Sequence, residues 1–281
     1  MKLSLSVRVA ESFLDKRRAT MELEDLADLA QLNGYHALCM RASQIGVHTP
    51  ESKRNKAIAT LREMSLSVSM VTGDFTIPEN NEEGPLALRD ITPYLDLAEA
   101  FGCDLLRVAI KSADDIVWAQ QACDEAGERG LRLAHQSHTQ SLFETMNETL
   151  EVLRAIGRPG FGLIYEPANL ELCGQDYGAT TIRQFAPWMF NVYLQNQKLT
   201  ADGADSLETW CRGRVPFDQI PVWESSGVNF PAIFAALDEI GYDGFVTIHQ
   251  ASAGLSGAEE AARRSAAYLR SIAHFDAPPS I

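Results

Sequence analysis

One unit recurs along the chain and limits the folds open to it: an amphipathic helical stretch that ends in glycine and is followed at once by a short apolar run. The clearest copies are LADLAQLNGYHALCMRA, LDLAEAFGCDLLRVAI, ACDEAGERGLRLAHQSHT and ALDEIGYDGFVTIHQ. Their glycines stand just past the predicted helix ends, where glycine adopts the left-handed conformation without steric cost; they are Gly34, Gly102, Gly130 and Gly241. The apolar runs are short and rich in β-branched residues, which is typical of strands buried on both faces.

Eight such apolar runs occur, at 2–9, 36–41, 66–74, 103–110, 131–137, 161–166, 190–195 and 244–249. Helical patterns follow at 22–32, 50–64, 86–100, 113–128, 142–155, 179–187, 228–239 and 256–272. This alternation predicts an α/β protein folded as a single (β/α)8 TIM barrel over residues 1–276, with a loose tail at 277–281. A doubly wound open sheet is the alternative. It would place a glycine-rich phosphate turn after an early strand, and Val7-Arg8-Val9-Ala10 is not such a turn.

The charge of the chain limits its partners. Its 281 residues carry 24 Lys+Arg against 38 Asp+Glu, a formal net charge of −14. Surfaces that grip a nucleic-acid backbone are basic, so we expect no nucleic-acid partner. The acidity does not exclude a small anionic substrate, because a local pair of arginines can hold one inside an acidic protein.

We expect a cytoplasmic protein with no membrane partner. The apolar start of the chain is interrupted by Arg8 and Glu11, unlike a secretory signal. No run of about 18 apolar residues is present to span a bilayer. The five cysteines are an odd number, widely spread and without a C-x-x-C motif, which is typical of reduced thiols in a cytosol.

Polar residues cluster at the carboxyl ends of the later predicted strands, where barrel enzymes build their active sites. The endings are His135-Gln136-Ser137-His138, Tyr165-Glu166, Tyr193-Leu194-Gln195-Asn196 and Ile248-His249. The two-residue period of a strand puts Gln136 and His138 on one face and His135 on the other. Gln136, Glu166, Gln195 or Tyr193, and His249 therefore form a candidate ring of ligands for a divalent ion such as Mn²⁺, Mg²⁺, Co²⁺ or Zn²⁺.

Further polar residues are candidates for substrate binding. They are Tyr193, Asn196, Asp74, Arg107, Arg212 and Trp210. An arginine inside a barrel strand, such as Arg107, needs a charge partner or reaches the substrate. The connections 74–85 and 196–227 are long enough to be functional, and we expect both to lie over the carboxyl face of the barrel.

The segments GYHALCMRA, VHTPESKRNKAIATLREMSLSVSMVTGDF, LAHQSHT, GLIYEPANL and GYDGFVTIH, in this order, resemble the xylose-isomerase-like TIM-barrel superfamily. This is the group of sugar phosphate isomerases and epimerases related to tagatose epimerase, hydroxypyruvate isomerase and endonuclease IV. The resemblance covers nearly the whole chain. Its most specific parts are 161–170 and 240–249.

The resemblance implies one metal ion, held by Glu on strand five, Asp on strand six, His or Gln on strand seven and Glu on strand eight. The two Glu ligands also move the substrate proton. The matching positions here are Gln136, Glu166, Tyr193 (Gln195 after a shift of two residues) and His249. Both proton-shuttling glutamates are thus replaced. Gln136 cannot act as a base, and His249 is either a ligand or a base.

The resemblance therefore implies a metal-dependent enzyme that transfers a proton next to the carbonyl of a sugar or polyhydroxy keto compound. Catalytic candidates are Glu166 and His138, with His249 as the base if it holds no metal. A lyase, dehydratase or glycoside-cleaving enzyme of oxidised sugars is the first alternative, and a non-catalytic sugar-binding barrel or partner subunit is the second. A DNA repair endonuclease would need many more metal ligands and a basic groove. Barrels of this group often pair, so a homodimer is an expectation.

Overall fold

Eight parallel strands close into a barrel in the computed structural model, which describes residues 1–11, 13, 16–72 and 82–278. The strands are β1 Lys2–Ser6, β2 Ala37–Met40, β3 Ser67–Val71, β4 Leu105–Val108, β5 Arg132–Gln136, β6 Phe161–Tyr165, β7 Met189–Leu194 and, last in the chain, β11 Phe245–Ile248. Neighbours follow chain order around the barrel, and β11 closes it against β1. The predicted single (β/α)8 barrel is confirmed.

Nine α-helices lie among the described residues: α1 Leu23–Leu32, α2 Glu51–Glu63, α3 Thr92–Ala100, α4 Asp115–Glu128, α5 Met146–Ile156, α6 Pro167–Leu172, α7 Ala179–Phe185, α8 Phe230–Glu239 and α9 Ala258–Ile272. None of the helices in this part of the chain combines the length and the apolar character that a membrane crossing requires. The four repeat glycines have φ of 73°, 63°, 70° and 67°, so the predicted left-handed helix ends are also confirmed.

Three predicted elements differ from the structure for identifiable reasons. The helix predicted over 86–100 is a 3-10 turn, Gly84–Arg89, followed by α3, in whose first turn Pro93 lies. The helix predicted from 142 begins only at Met146, because the Thr145 hydroxyl accepts a hydrogen bond from the Glu148 amide and caps it there. The first strand ends at Ser6, since a 3-10 turn at Val7–Ala10 follows it directly.

The connection predicted over 196–227 contains a small antiparallel sheet. Its strands are β8 Gln197–Leu199, β9 Asp205–Thr209 and β10 Gly213–Gln219, with β10 in the middle. Gly203 permits a close approach, since a Cβ there would lie 2.4 Å from the backbone nitrogen of Phe217. The other long connection falls largely on residues 73–81, which lie outside the described part of the chain.

The inside of the barrel is layered. An apolar layer consists of Cys39, Met70, Leu105, Ala134, Ile164 and Tyr193. Two residues further along five of these strands stand Arg41, Arg107, Gln136, Glu166 and Gln195. Because side chains on one face of a strand recur every two residues, these form the next layer, toward the carboxyl ends of the strands. A polar layer therefore lies directly above an apolar floor.

Candidate functional site

A small cavity of about 60 Å³ lies at the carboxyl end of the barrel. Its described lining consists of Arg8, Phe13, Lys16, Arg41, Arg107, Gln136, His138, Asn169, Gln195, Leu207 and His249. Five of the residues singled out from the sequence are therefore brought together: Arg107, Gln136, His138, Gln195 and His249. Neither Glu166 nor Tyr193 is part of this lining.

One wall of the cavity is cationic. Arg8 follows β1 and Arg41 follows β2, and both side chains are almost fully buried. Both contact the buried carboxylate of Glu11: Arg8 Nη1 lies 3.1 Å from Oε2, and Arg41 Nε lies 2.9 Å from Oε1. The Ser43 hydroxyl donates to the same carboxylate at 2.5 Å. Glu11 thus compensates one of the two guanidinium charges.

Two of the three nitrogen atoms of the Arg41 guanidinium are available for further hydrogen bonds. Its Nε donates to Glu11, but its buried Nη1 and Nη2 atoms have no hydrogen-bond partner. Arg107, on β4, is 2% exposed, and its Nε likewise has no partner. Within the described part of the chain no carboxylate forms an ion pair with Arg107. Burial is the largest cause that lowers the pKa of Arg107, and the charge of Arg41 lowers it further.

Lys16 completes this wall. It lines the cavity beside the three arginines. Burial, together with the charges of Arg8, Arg41 and Arg107, lowers the pKa of Lys16 to about 7. Four basic side chains thus converge on one small space, and among the described residues Glu11 forms ion pairs with two of them, Arg8 and Arg41.

Glu166 is fully buried and lies behind the cavity wall that Gln136, Asn169 and Gln195 form. Three amide groups cover its carboxylate. Gln136 Nε2 and Asn169 Nδ2 donate to Oε2, the latter at 3.1 Å, and Gln195 Nε2 donates to Oε1. Burial raises the pKa of Glu166 to about 8, against the attraction of Arg107 and Arg8. Glu166 therefore orients the amides that line the cavity.

Two imidazoles face the cavity. His138 Nδ1 lies 2.8 Å from the Thr139 carbonyl oxygen, which can only accept, so Nδ1 carries the proton and Nε2 the lone pair. His249 stacks on the ring of Tyr193 at 3.8 Å, and its Nδ1 lies 3.1 Å from the Ser6 hydroxyl. Burial and then the neighbouring cations hold the pKa of both rings well below 6.5, so both are neutral at pH 7.

Tyr193 and Asn196, predicted to contact substrate, form polar contacts with other parts of the chain. The Tyr193 hydroxyl lies 3.2 Å from Cys39 Sγ beneath the cavity, and the side chain is fully buried. Asn196 Nδ2 donates to the Pro221 and Glu224 carbonyls, and its Oδ1 accepts from the Gln197 and Val228 amides. All of this hydrogen bonding is within the chain. Asn196 therefore anchors the insertion after β7.

Arg212 and Trp210 lie apart from the described cavity lining. Trp210 is 53% exposed, and Arg212 Nη1 donates to the Leu172 carbonyl at 3.1 Å. The turn that carries them is held by Glu144, which accepts from the Trp210 and Cys211 amides at 2.8 and 2.9 Å. Neither side chain is therefore brought into the described cavity. Asp74, the remaining candidate, lies outside the described residues.

Sequence reasoning missed Arg8, Arg41, Lys16 and Asn169 as cavity residues. The two arginines carried a usable signal, since each is a charged residue at the carboxyl end of an apolar strand, like Glu166. Lys16 carried no comparable signal, because it lies in an irregular segment. Asn169 reaches the site only because α6 begins directly after Glu166, an arrangement that the pattern of the chain did not predict.

The cavity residues that the structure describes do not fit a divalent metal ion. The predicted ligands offer two amides and one imidazole, and the one carboxylate among them is covered by amide donors. Four cations lie close by and would repel a metal ion. Within the described residues, the group suited to a metal is Glu144, Cys173 and Cys211, away from the cavity. Its Glu144 is bonded to backbone amides, and burial raises the pKa of both thiols.

Comparison with known proteins identifies relatives by family and by fold. The sequence model of the family described as xylose isomerase-like TIM barrel matches residues 26–272. No protein of curated function matches the chain in sequence. Similar solved structures share less than 25% of their residues with it and so show the fold alone.

Three of these structures indicate the range of the fold. A probable 3-DHS dehydratase of Bacillus anthracis, AsbF, is 15% identical with a TM-score of 0.72, over 96% of this chain and 99% of that one. A D-allulose 3-epimerase from Methylomonas sp. is 14% identical with a TM-score of 0.69, over 96% and 97%. A xylose isomerase-like protein from Mycobacterium smegmatis, in complex with magnesium, is 14% identical with a TM-score of 0.69, over 97% and 98%.

Proposed function

The chain belongs to the xylose isomerase-like TIM-barrel family, and from that premise we propose that it is a sugar-modifying enzyme. Its substrate is a small sugar-like polyhydroxy compound, and its reaction is proton transfer next to a carbonyl group. The observation that carries the proposal is the pair of neutral imidazoles, His138 and His249, that line one cavity at the carboxyl end of the barrel. Active sites of barrel enzymes lie at this end.

His138 is the proposed base. Its Nδ1–H is held by the Thr139 carbonyl at 2.8 Å, so Nε2 can accept the proton from the carbon next to the carbonyl. The low pKa keeps the ring unprotonated at neutral pH, as a base must be. His138, protonated by this step, is also the candidate for returning the proton, because His249, fixed between Tyr193 and Ser6, is itself neutral.

Removing that proton places negative charge on the carbonyl oxygen, and the cationic wall can stabilise it. Arg107 and Arg41 have buried N–H groups without partners, so they need not give up other bonds to bind an enolate oxygen. The low dielectric around buried groups strengthens such an interaction. Because the donor set does not fit a metal ion, no step of this mechanism uses one.

A dehydratase or other lyase is the second candidate function. It begins with the same proton removal, after which the hydroxyl group on the next carbon takes up that proton and leaves as water. The favouring observation is that the two imidazoles are unlike: His138 has a defined proton position, whereas His249 contacts a hydroxyl that can donate or accept. Similarity to the probable 3-DHS dehydratase adds support for the scaffold only.

Proton exchange in deuterated water tests the proposal. The protein is incubated with a panel of ketoses and keto sugar acids, and deuterium at the carbon next to the carbonyl is followed by NMR. Deuterium incorporation with an isomerised product indicates an isomerase or epimerase, and loss of water or of a substituent indicates a lyase. Replacement His138→Asn should slow exchange by about 10²- to 10⁴-fold, the usual contribution of a general base.

The matched control is His274→Asn, at an exposed position on another part of the chain. It should exchange at the rate of the unmodified protein. Exchange that survives His138→Asn at full rate would remove His138 from the mechanism. Absence of exchange with every compound, in protein that still binds one of them, would indicate a non-catalytic sugar-binding barrel.

A further inference from the structure

The cavity combines two observations that together point to a negatively charged ligand. First, four basic side chains, from the ends of β1, β2 and β4 and from Lys16, line it, and among the described residues only two of them, Arg8 and Arg41, form an ion pair, both with Glu11. Second, hydrogen-bond donors of these cations are buried and unpaired. They are Arg41 Nη1, Arg41 Nη2 and Arg107 Nε. Buried charged donors are costly to leave unsatisfied, so a ligand that supplies acceptors is expected.

The geometry of Arg41 narrows the class of ligand. Its Nε is taken by Glu11, which leaves the two Nη atoms at the end of the guanidinium side by side. A pair of N–H groups in one plane matches two oxygens of one oxyanion group, as in a carboxylate or a phosphate. A neutral sugar hydroxyl offers one oxygen and no charge, and so would not compensate the excess positive charge of the cavity.

We infer that the cavity binds the oxyanion group of an acidic sugar derivative, a sugar carboxylate or a sugar phosphate, between Arg41 and Arg107, in a site whose donors do not fit a metal ion. This inference takes the cavity as the substrate site and so rests on the proposed function. The amides of Gln136, Asn169 and Gln195, oriented by Glu166, form the neutral wall opposite. That wall suits the hydroxyl groups of the same ligand.

The acidity of the protein as a whole does not weaken the inference. The nearby cations act over a few ångströms inside a low dielectric, whereas the −14 net charge is spread over a surface screened by salt. Lys16 adds to the attraction, because a bound anion would favour its charged form.

Calorimetric titration with three matched probes tests the inference. The protein is first treated with a chelator that removes divalent metal ions. The probes are D-gluconate, D-glucitol 6-phosphate and uncharged D-glucitol, which share a polyhydroxy chain and differ in the oxyanion. One or both charged probes should bind, with the stronger identifying carboxylate or phosphate, and glucitol should bind at least about tenfold more weakly. Equal binding of glucitol, or no binding of either charged probe, would overturn the inference.

Substitution locates the binding. Arg107→Met should weaken binding of the preferred charged probe by about 10- to 100-fold, the range for a lost hydrogen bond to a charged group. Because Arg107 lacks an ion-pair partner in the described structure, the variant should fold, with an unchanged or higher Tm. Arg183→Met is the matched control: Arg183 is half-exposed and pairs with Glu239, and its loss should leave affinity unchanged. Unchanged affinity in Arg107→Met would overturn the assignment.

Metal analysis of the purified protein gives an independent measurement. We expect substoichiometric divalent metal, and charged-probe binding unaffected by the chelator. One equivalent of metal that disappears in Glu166→Gln would overturn the inference. The two proposals fail separately: a chain that binds gluconate but never exchanges a substrate proton retains the anion site and loses the enzymatic function.

Discussion

At the scale of single residues, the cavity depends on which side chain stands at the inward position where each strand ends. Four such positions carry Arg41, Arg107, Gln136 and Gln195, one pleat above small or apolar residues of the barrel floor. The period of a strand predicted correctly that Gln136 and His138 share a face. It did not predict that Glu166 would be covered by amides, because that depends on side chains from three separate segments.

Loss of the Glu11 carboxylate should destabilise the protein strongly. Glu11→Gln leaves the buried guanidiniums of Arg8 and Arg41 without their compensating charge, and breaking a buried ion pair in this way costs about 3–5 kcal/mol. Urea unfolding measures the difference in free energy. The double variant Glu11→Gln/Arg41→Met should recover part of that loss. A double variant no more stable than Glu11→Gln alone would contradict this account.

Anion affinity should depend on pH through Lys16. Its pKa is lowered to about 7 by burial and by the adjacent arginines, and a bound anion would raise it. Affinity for a charged probe is therefore highest below pH 7 and falls as pH rises through that value, by at most about tenfold per pH unit for one proton. Glu166, with its pKa raised to about 8, acts in the same direction when it ionises.

Titration of the preferred probe between about pH 6 and pH 8 measures this dependence. Lys16→Met should bind more weakly at the acidic end and vary less with pH. Lys16 has electrostatic interactions with charged groups on its own wall, Arg8, Arg41, Arg107 and Glu11. It also interacts with three titratable groups across the cavity, Glu166, His138 and His249. A pH dependence unchanged in Lys16→Met would assign it to one of these groups instead.

At the scale of secondary-structure elements, the repeat of helix, glycine and apolar run predicted all eight barrel strands within a few residues. It could not predict β8, β9 and β10, since this sheet is short, partly exposed and polar, and carries no apolar run. The sheet nevertheless contributes Leu207 to the cavity lining. Elements that lie outside the repeat are therefore recognised only from their contacts in the structure, which cannot be read from the sequence.

Removal of the Glu144 carboxylate should loosen this sheet and leave the barrel intact. Glu144 accepts from the backbone amides of Gln140, Trp210 and Cys211, so Glu144→Ala frees the turn between β9 and β10. Amide hydrogen exchange should accelerate over 205–219 and stay unchanged in the barrel strands. Glu151→Ala, at an exposed position on α5, is the control and should change neither region. Equal acceleration throughout the barrel would show that Glu144 supports the whole fold.

At the scale of the whole molecule, an acidic exterior surrounds a cationic cavity. The exposed ion pairs place acidic groups of the helices and loops at the surface, as in Arg129–Asp96 and Arg158–Asp124. The composition predicts the sign of the net charge. It does not predict a cationic cavity inside an acidic exterior, because the number of basic residues, 24, does not say where they lie in the fold. Of the site, the sequence predicted the end of the barrel and five cavity residues. It did not predict the charge of the cavity.

The acidic exterior should prevent binding to nucleic acid. With a net charge of −14, the surface repels a phosphate backbone. Fluorescence anisotropy with labelled single- and double-stranded DNA at low salt should show no binding at micromolar protein. Binding that weakens steeply as salt is added would contradict this expectation.

The anchoring of the small sheet has a consequence for how such a protein can diversify. The sheet is fixed to the barrel through Asn196 and Glu144, by hydrogen bonds to backbone groups that any sequence of the insertion would supply. Val215, Phe217 and Gln197 of the sheet also contact α6, so only its remaining side chains have no role in the attachment. The cover over the cavity can change during evolution, and with it the shape of ligand admitted, while the charged groups at the strand ends are inherited unchanged.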